Sequence, residues 1–471
     1  MISLWQHQIA AIETAKDRTG LALFFEQGTG KTVTAIKILE QKCEQHGCSV
    51  LPTIILCPQI VIDNWVREVL AYSSFPTGCV HAIKGTGNKR ARMLAALKGQ
   101  SAIVITNYET LNIDTAFAEL MTFGAKCIIF DESHKIKGPT SKRTHRAVTL
   151  STSAMYRFIL SGTPVVNSPF DIFSQFLAMD GGRAFTDSFK KFRNLYFYDE
   201  NAGKPKHCYF PSWVPRTGSI EAINKIVNEH AVRVKKEECL DLPPLVKQRV
   251  YVDLEGVQKT AYNSIAKDMV AHIDDKVVST DMVLKQVLRL QQISSGFVKM
   301  DDGEVTDFGR NPKLEALREI LQTISEKVIV WAVFRRDFAA IRNLVQQMGI
   351  ASCEIHGETP EAVKSHNALS FECDAGGPRV LIGHPASAGI GINLVSAPYA
   401  VFFSRTFSLE NDLQAEARNY RGGSEIHKKV TRIDIVAKDT VDELILDALD
   451  AKQNVSEALI QKLRGKHGSA S

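Results

Sequence analysis

Leu21-Ala22-Leu23-Phe24-Phe25-Glu26-Gln27-Gly28-Thr29-Gly30-Lys31-Thr32 runs from five apolar residues into a glycine-rich turn and then into an amphipathic segment. A short buried strand followed by glycines and a helix start is the context a phosphate-binding loop requires. Gly28, Thr29 and Gly30 let backbone N–H groups turn toward phosphate oxygens, and the helix N-terminus adds a positive field. Lys31 is placed to reach the β- and γ-phosphates and the Thr32 hydroxyl to ligate Mg²⁺. The first glycine of the longer form of this loop falls at Phe25, so the match is to the Gly-x-Gly-Lys-Thr core.

About a hundred residues on, Ile128-Ile129-Phe130-Asp131-Glu132-Ser133-His134 sets two adjacent acids at the C-terminal end of an apolar run. Parallel sheets bind ligands at that edge. Asp131 is placed to hold hydrated Mg²⁺ and Glu132 to polarise an attacking water. Adjacent acids at a strand end are otherwise plain turn residues; behind a phosphate loop they predict hydrolysis of ATP.

The same rhythm extends outward. Ile54–Cys57, Ala102–Ile105, Cys127–Phe130 and Arg157–Leu160 are short apolar runs separated by amphipathic stretches, as buried parallel strands with helical crossovers require. They predict a doubly wound α/β domain over residues 1–165. Residues 166–310 change character: aromatic and basic residues crowd 185–213, Leu242-Pro243-Pro244 punctuates the chain, and Val283, Val287 and Leu290 repeat at helical spacing. A mainly helical insertion is expected there. Lys327–Trp331, Arg379–Ile382, Tyr399–Phe403 and Val430–Val436 predict a second α/β lobe over 311–447, and a helix with a small-residue tail over 448–471.

Composition sets few limits. The chain has 471 residues, 44% of them hydrophobic and 23% charged, with a formal net charge of +5, too modest to argue for nucleic acid by itself. No apolar run is long enough to cross a bilayer, and the N-terminus lacks the pattern of a signal peptide. Nine cysteines are scattered without a Cys-x-x-Cys pair; Cys43, His46 and Cys48 lack a second pair of ligands, so reduced thiols are expected rather than zinc. A cytoplasmic protein with no membrane partner is the expectation.

Taken together, these segments resemble superfamily 2 helicases, most closely the Swi/Snf-like branch of DNA translocases, from Leu4 to about Leu446. Leu4-Trp5-Gln6-His7-Gln8 is similar to the adenine-reading segment of that family, with Gln8 as the adenine contact. Leu160-Ser161-Gly162-Thr163-Pro164 resembles the third motif, which couples hydrolysis to lobe movement. Val232-Arg233-Val234-Lys235-Lys236-Glu237, Leu242-Pro243-Pro244 and Gln258-Lys259-Thr260-Ala261-Tyr262 resemble a series that generic helicases lack. Ser387–Leu394 looks like motif V and Gln414–Arg421 like motif VI. The resemblance implies two RecA-like lobes, counts Gln414 with the catalytic residues, and makes Arg418 and Arg421 the arginine fingers. A planar, always-charged guanidinium is suited to charge developing on the γ-phosphate. Departures are His384-Pro385-Ala386 before motif V, Arg421-Gly422-Gly423-Ser424 at the end of motif VI, and Ala417 where an acid usually precedes the first finger.

The same resemblance assigns Pro58 to Trp65 (with Asn64), Thr106, Asn107, Tyr108, Arg335 and Ser387 to the nucleic-acid track. Such contacts position a motor on phosphates without reading sequence. Lys135, Lys137, Lys142, Arg143 and Arg146 could touch phosphates, although solvated surface charge is the commoner role. The aromatics from Phe185 to Trp213, Tyr196 among them, fit the core of a small subdomain better than a strand-separating pin. Three functions follow: a compact, monomeric, phage-type or bacterial motor on forked or junction DNA, a duplex translocase that displaces proteins, or a non-catalytic nucleic-acid-binding scaffold.

Overall fold

Ala22 and Phe24 face one side of their strand while Leu21, Leu23 and Phe25 face the other, and all five are buried. Ile54 and Leu56 alternate with Ile55 and Cys57 in the same way, as do Ile128 and Phe130 with Cys127 and Ile129. Covering both faces explains why these strands read as unbroken apolar runs. Each Leu, Ile or Phe among them, taken from water, contributes about 1.5–3 kcal/mol.

The computed structural model describes residues 4–162, 169–203, 211–239, 242–274, 280–300, 303–373, 376–390 and 393–451. The chain divides into two units, Met1–Leu240 and Asp241–Ser471. The first contains β1 (Gly20–Phe25), β2 (Thr53–Cys57), β3 (Val80–Ala82), β4 (Ile103–Asn107), β5 (Cys127–Asp131), β6 (Tyr156–Leu160), β7 (Phe197–Asp199), β8 (Trp213–Pro215) and β9 (Ala231–Val234). Seven of these form a parallel sheet in the order β3-β4-β2-β5-β6-β1-β9, and β7 pairs with β8 as an antiparallel hairpin.

The second unit contains β10 (Leu245–Val252), β11 (Phe297–Lys299), β12 (Val305–Asp307), β13 (Val328–Trp331), β14 (Ser352–Ile355), β15 (Val380–Gly383), β16 (Tyr399–Phe402) and β17 (Val430–Ala437). Its parallel sheet runs β10-β17-β16-β13-β15-β14, with β11 and β12 forming a separate hairpin. Local signals start its helices. Asn311 caps Pro312–Thr323 through the Leu314 N–H, and Thr440 caps Val441–Asp450 through that of Asp442.

The two α/β lobes are therefore present. The stretch 166–310, expected as an insertion, is apportioned between them: Ala231–Val234 joins the first sheet and Leu245–Val252 the second. Helices Gly256–Asp274 and Thr280–Ser294 lie in the second unit, where Val287, Leu290 and Ile293 are buried in its core. Most of the described aromatics around 185–213 are core as well, with Tyr198 exposed. Phe192 and Phe197 are buried, Tyr196 packs on Phe192 with ring centroids 5.0 Å apart, and the Arg193 guanidinium lies 3.9 Å over the Trp213 ring. Tyr209 and Phe210 lie outside the described residues, as does everything from 452 on. No helix among the described residues is long and apolar enough to cross a membrane.

Candidate nucleotide-binding site

The phosphate loop is fastened at both ends. The Glu26 N–H donates to the Val234 carbonyl at 2.9 Å and its carboxylate accepts the Lys236 N–H at 3.0 Å, which ties the loop to β9. Thr29 donates its hydroxyl to the Glu26 carbonyl at 2.7 Å. Gly28 and Gly30 have φ of 84° and 80°, a conformation that residues bearing a Cβ rarely adopt. From the first helix, Gln6–Ala15, the His7 ring Nε2 donates to the Thr29 carbonyl at 2.9 Å and the Gln8 amide to the Gly30 carbonyl at 3.2 Å. The Gln8 side-chain oxygen accepts the Trp5 N–H at 2.8 Å. Gln8 is thus buried as a clamp on the loop, a role the sequence did not disclose.

Lys31 opens the helix Lys31–Gln45 and donates to the Phe25 carbonyl at 2.8 Å; Thr32 follows in the first turn. A methyl group built on Gly162 would lie 3.4 Å from the Lys31 Nζ, so this glycine of the third motif lies close against the lysine. Thr163 and Pro164 lie outside the described residues.

Asp131 ends β5, and both carboxylate oxygens are held. The buried Trp65 indole N–H donates to Oδ2 at 2.7 Å and the Glu132 N–H to Oδ1 at 3.0 Å, while the Tyr108 hydroxyl donates to the Asp131 carbonyl at 2.7 Å. Burial and the neighbouring Glu132 charge raise Asp131 well above the usual carboxylate range, against the Trp65 bond and Lys31. Burial also pushes Glu132 upward, but the His134 hydrogen bond at 3.3 Å and the charges of Lys31, His134 and Lys135 outweigh it and hold Glu132 ionised. Glu132 has φ 50° and ψ 56°, an uncommon left-handed conformation for a residue with a side chain. It aims the second acid away from the strand direction. Behind them Ser133 donates to Gln175 at 2.6 Å, and Gln175 to the Asp171 carbonyl at 2.7 Å.

Lys31 therefore acts electrostatically on both acids. The glycine cradle, the cation and the acid pair fit a Mg²⁺-nucleotide: Gly28 to Thr32 for the phosphates, Thr32 and Asp131 for the metal.

In the second unit, Gln414 lies on the helix Leu409–Glu416 and donates to Glu410 at 2.9 Å; buried Arg418 and half-buried Arg421 follow it. A network missed in the sequence anchors this helix to the sheet. Arg432 of β17 pairs with Asp412 at 2.9 Å and Glu416 at 2.8 Å. Arg405 pairs with Asp412 at 2.7 Å and with Asp434, and both guanidinium groups stack on Phe402. Asp412 and Glu416 are the anchors.

The expected nucleic-acid residues divide. Asn64 on the helix Ile62–Tyr72 is half-exposed, bonded to Glu68 and Arg67. Arg335 is 83% exposed and pairs with Glu358 at 2.9 Å; Ser387 is half-buried in the turn Pro385–Ile390. Thr106, Asn107 and Tyr108 are buried instead. Thr106 bonds the Thr110 hydroxyl at 2.8 Å, and Asn107 accepts from buried Arg90 at 2.7 Å and donates to Gln59 at 3.1 Å. Burial pushes the Tyr108 phenol well above its ordinary range, so it remains a donor. These three side chains are occupied internally and shape their loop. The basic cluster is largely paired with acids: Lys137 with Asp171, Lys142 and Arg146 with Asp114, and Arg143 with Glu109.

The chain is similar in sequence to known families over both of its α/β lobes. The SNF2-related domain family matches residues 5–296, and the helicase conserved C-terminal domain matches residues 312–423. Among curated proteins, the TATA-binding protein-associated factor mot1 of Aspergillus fumigatus is 24% identical over 93% of this chain and 25% of its own length. The chromodomain-helicase-DNA-binding protein 1-like of Danio rerio is 23% identical over 95% of this chain and 43% of its own. An ATP-dependent helicase of Mycoplasma genitalium is 25% identical over 93% and 40%. This chain thus spans less than half the length of these relatives. The solved Sulfolobus solfataricus SWI2/SNF2 ATPase core in complex with dsDNA is 22% identical with a TM-score of 0.45, covering 98% of this chain and 93% of that one. With a family match that takes in β1 to β9 and the whole phosphate and acid site, this chain belongs to the SNF2-related family.

Proposed function

We propose that this chain is a nucleic-acid-stimulated ATPase that couples hydrolysis to movement along DNA. The observation that carries the reading is the pairing of a clamped phosphate loop with an ionised Glu132 beside Asp131, both within the field of Lys31. Gly28 to Thr32 hold the phosphates, Thr32 and Asp131 hold Mg²⁺, and Glu132 orients and deprotonates the attacking water. Bound Mg²⁺ supplies charge neutralisation at the phosphates. Arg418 and Arg421, the arginine fingers that the family resemblance assigns, stand in the turn after a helix that Arg432 and Asp412 hold to β17. DNA as the track is supported by membership in the family and by relatives named as DNA-binding proteins.

Two uses of such a motor are proposed. One is unwinding or branch migration of forked and junction DNA. The other is translocation on duplex that displaces bound proteins without separating strands. The mutual packing of Phe185, Phe192, Tyr196 and Phe197 favours the second, because it withdraws these aromatics from a wedge role. The deciding experiment is the ATPase rate of wild type and Lys31→Ala with no nucleic acid, single strands, duplex, forks, four-way junctions and RNA. Stimulation by branched over linear DNA supports fork or junction work, and equal stimulation by plain duplex supports the translocase. No Lys31-dependent hydrolysis on any of them leaves only the scaffold.

A further inference from the structure

Three donors converge on Asp131, and two of them arrive from elsewhere in the sequence, Trp65 from a helix and Tyr108 from a turn. Trp65 and Tyr108 are each 1% exposed, and their polar atoms are directed at one residue, the Trp65 indole at the carboxylate and the Tyr108 hydroxyl at the backbone carbonyl of Asp131. A neutral N–H donating to a carboxylate is a charge-assisted bond, stronger than its neutral counterpart. With the Glu132 N–H on the other oxygen, it fixes the rotation of the Asp131 carboxylate and leaves the remaining lone pairs for a hydrated cation.

The origin of these two side chains gives this geometry its meaning. Trp65 is the immediate neighbour of Asn64 on a helix that begins where the loop after β2 ends. Exposed Gln59 lies in that loop, and exposed Arg67 bonds Asn64 at 3.1 Å. Tyr108 opens the turn after β4, and Asn107 before it donates to Gln59 at 3.1 Å while accepting from Arg90 at 2.7 Å. The two segments are therefore cross-bonded to each other, and each also reaches the metal-holding residue. A helix moves as a unit at 1.5 Å rise per residue, so any shift that re-seats Asn64 carries the Trp65 ring with it.

We propose that Trp65 is a positioning residue that links nucleic-acid occupancy of the Pro58–Asn64 segment to the orientation of the Asp131 carboxylate, with Tyr108 as a second, weaker link. The inference rests on the reading that Asp131 holds Mg²⁺ and that this segment meets DNA. Linkage is reciprocal: duplex tightens Mg²⁺-nucleotide binding by the same factor by which Mg²⁺-nucleotide tightens duplex binding.

The test uses the full chain, a fluorescent β,γ-imido ATP analogue and a plain duplex, with Trp65→Phe and Tyr108→Phe as variants. In wild type, saturating duplex tightens analogue binding in Mg²⁺ on the order of tenfold. Trp65→Phe brings that ratio to below about twofold and raises the half-saturating Mg²⁺ for hydrolysis, with analogue affinity in EDTA unchanged; a mere packing defect would weaken binding with and without Mg²⁺ alike. Tyr108→Phe, which keeps the ring, lowers the ratio by a smaller factor. A folded Trp65→Phe with the wild-type ratio overturns the inference. If Trp65→Phe does not fold, an undiminished ratio in Tyr108→Phe overturns it. A wild type that hydrolyses ATP and binds duplex without linkage overturns the inference and leaves the ATPase reading standing. A wild type that binds no Mg²⁺-nucleotide overturns both.

Discussion

The Gln8 amide occupies the space where a side chain on Gly30 would go: a methyl group built on Gly30 would lie 2.3 Å from the Gln8 Nε2. Gly30 also has φ 80°, which costs an alanine about 1–2 kcal/mol before any clash. Gly30→Ala is therefore expected to displace the Gln8 clamp and abolish nucleotide binding, with a drop in melting temperature. Gln8→Ala is expected to weaken binding less, because the backbone of the loop stays unstrained. Calorimetric titration with ATP on both variants checks the order.

Glu132 holds its backbone in a left-handed conformation and its carboxylate against His134 at 3.3 Å. Glutamine keeps the shape and can still bond His134, but it cannot take a proton from water. Glu132→Gln is expected to lower the hydrolysis rate by roughly 10²–10⁴-fold, the usual range for a lost general base, with nucleotide affinity nearly unchanged. Pre-steady-state turnover alongside equilibrium binding separates the two quantities.

The second unit offers a contrast between two arginines. Arg432 is buried among Asp412, Glu416 and Asp434, whereas Arg249 meets Asp447 and Asp450 at a surface where its side chain is 37% exposed. Removing Arg432 strands buried carboxylates, and Arg432→Met is expected to destabilise the unit by about 3–5 kcal/mol. Arg249→Ala is expected to cost no more than about 1 kcal/mol. Denaturant unfolding of the two variants reads the difference directly.

Asp337 supplies a pH dependence. Burial pushes its carboxyl up to about 7, against the Ser404 hydroxyl that donates to it at 2.5 Å and the Lys313 charge. Its folded pKa lies above the unfolded one, so between about pH 4 and pH 7 the unfolded chain releases a proton that the folded chain retains. Stability from this group is therefore greatest at the acid end and falls as pH rises through that window, by on the order of a few kcal/mol. Asp337→Asn is expected to flatten the slope, as measured by denaturant midpoints from pH 4 to pH 8.

What was legible in the sequence follows from where each element sits in its sheet. Central strands such as Leu21–Phe25, Cys127–Phe130 and Val328–Trp331 are covered on both faces and read as apolar runs. Within the two parallel sheets, the four strands that went unread, β3, β9, β10 and β14, are their four edges. Edge strands tolerate charge, and Arg233, Lys247, Arg249 and Glu354 sit within them. The site was legible for a similar reason: Lys31, Asp131 and Glu132 stand beside glycines or strand ends that mark them. Trp65 carried no such mark, because an indole on a buried helix face looks like core until its N–H is traced to Asp131. For Tyr108 and Asn107 the pattern could not tell an exposed side chain from a buried one that holds its loop.

The return of the chain to place Ala231–Val234 beside Ala22–Phe25 has a practical consequence for dissecting the protein. A fragment cut at residue 165, where the apolar runs of the first lobe stop, would leave the strand leading to the phosphate loop with one row of backbone N–H and C=O groups open and Glu26 without its Lys236 and Val234 partners. An unguarded apolar edge of that kind invites pairing between copies. Such a truncation would therefore precipitate or self-associate, whereas one ending near residue 240 keeps the strand flanked and the loop anchored.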